Sequence, residues 1–236
     1  MKFSFKSVLL TGWHTFKNNW KFIILLGLAT VFAQIIVRGA EQAAIDRSAI
    51  LSLALWLVST ILAVIISLGW SKVFLNLLRH NHADWNTFKT EPKQWLLYIK
   101  SSLWLVAYSF GYMIIAALPF IILGIIGSYA DVYWLQIASV IAGIVSVTVV
   151  AVYMAIRYQF LAFSVIDATS SGSRELYNKS GSLTKNAWFQ LFGFALVSIL
   201  LAIIGVLCLV VGLIIVIPVV SIAQAKIYDM LKSHHA

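Results

Sequence analysis

Residues 186–225 read NAWFQLFGFALVSILLAIIGVLCLVVGLIIVIPVVSIAQA, forty positions without one charged side chain. As a single helix rising 1.5 Å per residue this stretch would be about 60 Å long, twice the roughly 30 Å hydrocarbon core of a bilayer. It must fold back on itself. Gly205 and Gly212 bracket the expected turn, and Pro218 is carried inside the second limb, where neighbouring helices absorb a kink. A transmembrane β-barrel does not fit, because its strands alternate polar and apolar residues and do not give uninterrupted runs such as Ile199 to Pro218.

Four more charge-free runs precede it: Phe22 to Val37, Ser48 to Ser71, Ser101 to Ala130 and Val132 to Ile156. With 61% hydrophobic residues, 11% charged residues and a mean hydropathy of +0.94, the composition excludes a water-soluble fold. A soluble domain runs nearer ~45–50% apolar and ~25% charged. Asp131, with Gly127 and Ser128, marks a second tight turn between two full spans. Val31-Phe32-Ala33 loosely fits a signal-peptidase site, but too long a segment precedes the apolar core, so the first run is read as a retained helix.

The expected fold is an all-α membrane protein of six transmembrane helices near 20–37, 49–75, 95–126, 132–163, 187–206 and 210–230. They form three hairpins within a single integral membrane domain, 1–236, and each hairpin is preceded by an interfacial amphipathic helix. In the first of these, at 1–19, Phe5, Leu9, Trp13, Phe16 and Trp20 project to one face and Ser4, Ser7, Thr11, Thr15 and Asn18 to the other. Lys6, Lys17 and Lys21 sit between the faces, placed to snorkel towards headgroups. Trp85 with Phe88, and the segment from Ser173 to Tyr177, stand in the same position before the third and fifth spans, and Pro92 suits a first helical turn.

Lys and Arg are retained on the cytoplasmic side of a membrane. Fifteen of them fall on one side of this arrangement, and only Arg38 and Arg47 on the other, together with Glu41, Asp46 and Asp131. Both termini are therefore expected in the cytoplasm. The net charge of +9 becomes a property of the cytoplasmic face, suited to anionic headgroups and not to nucleic acid.

Arg157-Tyr-Gln-Phe-Leu-Ala-Phe-Ser-Val-Ile-Asp167, followed by Ser180, Leu183-Thr-Lys-Asn-Ala-Trp188, Gly205, Gly212, Pro218 and Tyr228, resembles the C-terminal half of a broad group of prokaryotic six-helix membrane proteins. That group is similar to the membrane domain attached to some glycerophosphodiester phosphodiesterases and includes stand-alone proteins of uncharacterised function. The likeness covers residues 150 to 230, and the rest by hydropathy. Almost no length remains outside the membrane for a soluble phosphodiesterase domain. What the resemblance implies is therefore a fold and a prokaryotic plasma-membrane location, not an activity.

No P-loop and no His-Glu-x-x-His motif occurs, and no cofactor or metal is expected. His80-x-His82 reads as a solvated loop, and Cys208 as a packing or lipid-facing residue. The span centres hold no ionisable side chain, which argues against an ion-coupled pump. One constellation stands out: Arg157, Gln159 and Asp167 at the cytoplasmic end of the fourth span, with Lys185 and Asn186 at the start of the fifth. Arg157 and Asp167, ten residues apart on one helix, share a face at ~15 Å and need different partners. They are placed to pin the cytoplasmic loop to the bundle, or to hold a lipid phosphate or a partner's acidic motif.

The leading expectation is a non-enzymatic accessory or membrane-organising protein. Its contacts are anionic lipid through Lys6, Lys17, Lys21 and the Arg157 group, and beyond the bilayer a protein partner or a second copy. A transporter or channel with a path lined by Ser67, Ser109, Ser139, Thr148 or Ser198 stands as the alternative. A lipid-modifying enzyme is third and requires polar side chains clustered at one depth.

Overall fold

The computed structural model describes residues 3–45, 48–168, 172–208 and 211–235. Lys2, Asp46 and Arg47, counted in the charge asymmetry, and position 210, where the sixth span was expected to begin, lie outside them. Among the described residues the chain forms nine helices: α1 (Phe5–Ile45), α2 (Ala49–His80), α3 (Trp85–Phe88), α4 (Pro92–Tyr129), α5 (Tyr133–Tyr158), α6 (Leu161–Ile166), α7 (Ser173–Lys185), α8 (Trp188–Leu207) and α9 (Val211–His235). Six helical stretches, formed by α1, α2, α4, α5 with α6, α8 and α9, are long and apolar enough to cross a membrane.

Local chemistry sets the breaks. Where the first interfacial segment was expected to give way to the first span, α1 continues but bends: Asn19 leaves helical geometry (φ −123, ψ 16) and its side-chain amide donates to the Thr15 carbonyl at 3.1 Å. That carbonyl is the one residue 19 would ordinarily bond through its own N–H, so the side chain competes with the ladder at the bend. α2 stops at Asn81, in the left-handed region (φ 52) with its N–H on the Leu77 carbonyl. Asp84 then starts α3 by accepting from the Thr87 N–H at 2.8 Å, while the Thr87 hydroxyl accepts from the Asp84 N–H at 3.2 Å. Pro92 occupies the first turn of α4, and Asp131 (φ 52) makes the turn into α5, with the Val132 N–H on the Gly127 carbonyl at 2.9 Å.

α4 and α5 run antiparallel. Gly127 meets Gln136, Gly124 meets Ser139 and Gly143 meets Phe120, and the Ser146 hydroxyl donates to the Ala116 carbonyl at 3.2 Å. α8 and α9 approach closely where Gly205 faces Gly212, and a Cβ on Gly212 would lie 2.7 Å from the Gly205 Cα. α1 packs on α2, where the Trp70 indole donates to the Thr30 hydroxyl, and on α9, where Gly12 touches the Val219 carbonyl. Gly111 brings no helix close, since nothing lies within 4 Å of where its Cβ would be.

The core is concentrated at one end of the bundle, where α1 begins and α9 finishes. Ile23, Leu26, Leu77, Phe160, Leu191, Phe194, Ile222 and Tyr228 are all but fully buried there. Towards the other end the helices expose apolar side chains, and Phe110 and Trp134 are among the large residues left open. The chain exposes 14299 Å², against about 10,600 Å² for a compact soluble protein of this mass. An excess of that size, made of Leu, Ile, Val and aromatic surface, suits hydrocarbon and not water.

In the first turns of α1 the buried residues are Val8, Gly12, Thr15 and Phe16, whereas Trp13 and Trp20 are exposed. Thr15 was expected on the polar face. The bare Gly12 lets α9 come close, and the bulky indoles are left to point outward.

Candidate functional site

The charged end is organised around Arg79, in the last turn of α2. Its Nη1 and Nη2 donate to the two oxygens of Asp167, each at 2.9 Å, while Nε donates to Asp229 Oδ2 at 3.2 Å and Nη2 also to Asp229 Oδ1. The guanidinium is gripped on two edges, the paired-fork geometry that Arg provides and Lys cannot. Lys232, one turn beyond Asp229 on α9, donates to Asp167 Oδ2 at 2.6 Å. Two cations and two carboxylates thus neutralise each other and tie α2, the end of α6 and α9 together. Beneath them Tyr228 is fully buried and stacks on Phe163 at 5.5 Å between centroids.

Burial pushes the Asp167 carboxyl up, but the hydrogen bonds and charges of Arg79 and Lys232 outweigh it and hold it down to about 2. A carboxyl held below its ordinary value of 3.8 adds stability that is fully present above about pH 4 and is lost as the pH falls towards 2. The size is on the order of 2 kcal/mol, since the Asp167 side chain is only 12% exposed. The thermal midpoint in detergent is therefore expected to stay level from neutral pH to about 5 and to drop below about 4. In Asp167→Asn the midpoint starts lower and that acid-side drop shrinks.

Arg157 and Asp167 do not share a helix, contrary to expectation. α5 ends at Tyr158, Gln159 and Phe160 form a turn, and α6 carries Asp167 at its C-terminal end. The two charges find separate partners: Arg157 keeps to tyrosines of its own helix, while Asp167 is held from α2 and α9. The Arg157 guanidinium donates to the Tyr153 hydroxyl and lies over the rings of Tyr153 and Tyr158, at 5.6 and 5.7 Å. Thr184 in α7 donates to the Arg157 carbonyl at 3.0 Å, and Gly181 gives Arg157 and Tyr158 room beside α7.

From there the rings form a row. Tyr158 stacks on Tyr177 at 4.4 Å, Tyr177 on Tyr108 at 5.2 Å and Tyr108 on Trp104 at 5.7 Å, and Arg174 closes the far end over Trp104 at 5.8 Å. The row joins α5, α7 and α4 with a cation at each end. Burial, then the neighbouring Tyr158, pushes the Tyr177 phenol up, so it stays neutral. Among the described residues Arg157 meets no carboxylate, and its Nε is buried without a partner.

Of the residues singled out by the sequence, Lys6, Lys17 and Lys21 are exposed along α1, with Lys21 5.9 Å from the Trp20 ring centroid. Lys185 and Asn186 are exposed at the end of α7. Gln159 lines a cavity with Ser67 of α2, while Ser139 and Thr148 line a separate groove between α4 and α5. Ser139, Thr148 and Ser198 give their hydroxyl protons to carbonyls of their own helices. Sequence reasoning missed Arg79, Asp229 and Lys232. The signal within reach was the pair Asp229 and Lys232, three apart on one helical face. Among the described residues no three His, Cys, Asp or Glu side chains gather into a metal-ligating set. Comparison with protein-family models, with curated proteins and with solved structures found no match.

Proposed function

We propose that this chain is a non-enzymatic accessory or organising protein of the prokaryotic plasma membrane that holds anionic lipid at its basic end. In this reading the charged end faces the cytoplasm with both termini, and the six spans form three hairpins. The first turns of α1, together with α3 and α7, lie as amphipathic helices at the headgroup level. The resemblance to the membrane domain of glycerophosphodiester phosphodiesterases belongs to the same proposal.

One observation carries it: the lysines and arginines at this end outnumber the carboxylates beside them, of which Glu91 and Glu175 are exposed and make no ion pair among the described residues. Asp167 and Asp229 are spent on Arg79 and Lys232, and Asp84 starts α3. Lys6, Lys17, Lys21, Lys93, Lys100, Lys179 and Lys185 are exposed, and none makes an ion pair among the described residues. Exposed Trp13, Trp20 and Trp85 beside them suit the aromatic belt at a headgroup boundary. A lysine at an anionic surface contributes about 1 kcal/mol, and this field decays within a Debye length of about 10 Å at 0.1 M salt.

The test is lipid selectivity in nanodiscs that mix phosphatidylglycerol with phosphatidylcholine, read with spin-labelled lipids. A headgroup beside one such lysine is expected to associate about fivefold more strongly when anionic, falling to parity in about 1 M salt. Equal association of the two lipids at low salt would count against the proposal.

A further inference from the structure

A cavity of about 410 Å³ lies between α2, α4, the turn joining α5 to α6, and α9. Its volume falls within the range of small-molecule sites, about 300–1,000 Å³. Its wall differs from the apolar interior around it. Ser67 and Ser71, Ser102, Gln159, Ser221 and Gln224 bring hydroxyls and amides from four directions to one space, and no lining residue carries a formal charge. Trp70, Tyr98 and Tyr158 add aromatic surface beside them.

Gln159 is the telling member. It sits in the turn that interrupts the helix, and its Nε2 is buried with no hydrogen-bond partner among the described residues. A buried amide donor left unpaired costs about 1–3 kcal/mol. Ser71 already gives its proton to the Ser67 carbonyl at 2.9 Å, which leaves its oxygen free to accept. Polar side chains from separate helices that converge within a span-forming bundle have a use when a matching group enters between them.

We infer that this cavity binds an uncharged polyhydroxylated group, either a free sugar or the sugar headgroup of a neutral glycolipid. Hydroxyls both donate and accept, as the wall does, and the Trp and Tyr surfaces suit the apolar face of a sugar ring. An anion would find no cation in the wall and a cation no carboxylate, and the nearby Arg79 cluster is already neutral within itself. The inference stands apart from the lipid contacts of the exposed lysines, which touch no part of this cavity.

The test uses the full chain in phosphatidylcholine nanodiscs. Cys208 is replaced by Ala, and Leu105, an apolar lining residue, becomes the reporter through Leu105→Cys, labelled with N-ethylmaleimide. Free glucose or monoglucosyl-diacylglycerol, at ten times its Kd, is expected to slow labelling about tenfold. Protection by glucose identifies a solute as the source, and protection by the glycolipid alone identifies a lipid. Gln159→Leu is expected to abolish the protection while leaving the unprotected rate and the thermal midpoint in place. If Gln159→Leu lowers the midpoint, Gln224→Leu is read in its stead. The inference is overturned if neither sugar compound protects, if phosphatidic acid protects as well as they do, or if protection survives in a variant that keeps the parental midpoint.

Discussion

Arg79→Met is expected to lower the stability of the purified protein by about 3 kcal/mol, read as a shift of the unfolding midpoint in detergent. The substitution keeps most of the apolar stem and removes the one group that holds Asp167 and Asp229 together. Two carboxylates then face each other with only Lys232 between them, and Asp167, whose side chain is 12% exposed, cannot turn far into solvent. Breaking a fully buried pair costs about 3–5 kcal/mol, and the 34% exposure of the Arg79 side chain brings the expectation to the low end. Arg79→Lys recovers little, because an ammonium cannot fork to two carboxylates at once. Combining Arg79→Met with Asp229→Asn is expected to restore part of the loss, since it removes one of the two stranded charges. A sum of independent effects in that cycle would mean that the two residues do not act together.

Gly12→Ala and Gly111→Ala are expected to differ in sign. An added Cβ at Gly12 would stand 2.5 Å from the Val219 carbonyl oxygen, a backbone atom of α9 that moves only if the whole crossing opens. The cost of such overpacking is about 1–3 kcal/mol, at a crossing where small residues are what allow helices to meet. At Gly111 nothing lies within 4 Å, and the same change exchanges the worst ordinary helix former for the best, a gain of up to about 1 kcal/mol. Midpoints of the two variants measured side by side check this, and a Gly12→Ala protein as stable as the parent would mean that α1 does not press on α9 as described.

What could be read in advance was local. Six apolar stretches long enough to span follow from hydropathy and the rise of a helix. The turn at Asp131 follows from Gly127 and Ser128 beside a lone acid, and the bend at Asn19 falls where the polar pair Asn18-Asn19 precedes an apolar run. The turn at Gln159 was missed because its neighbours, Tyr158, Phe160 and Leu161, look as helical and apolar as any span. The break shows only through what each side of it reaches: Tyr177 and Thr184 for one, Arg79 and Lys232 for the other.

Contacts of that kind join residues 65, 88 and 150 positions apart, and no periodicity in one sequence encodes them. The same holds for the cavity, whose six polar side chains come from four parts of the chain and fail to stand out singly. Glycine positions were legible as glycines, but whether each meets a neighbour, as Gly12 does and Gly111 does not, depends on which helices end up side by side.

The excess of positive charge at one end is the centre of this account, and native mass spectrometry of the protein released from mild detergent tests it most directly. Anionic lipid is predicted to remain bound to the parent chain and to be lost when Lys6, Lys17 and Lys21 are all changed to Gln, with the unfolding midpoint unchanged. Anionic lipid retained equally by that triple variant, or a parent chain that carries neutral lipid without preference, would contradict it.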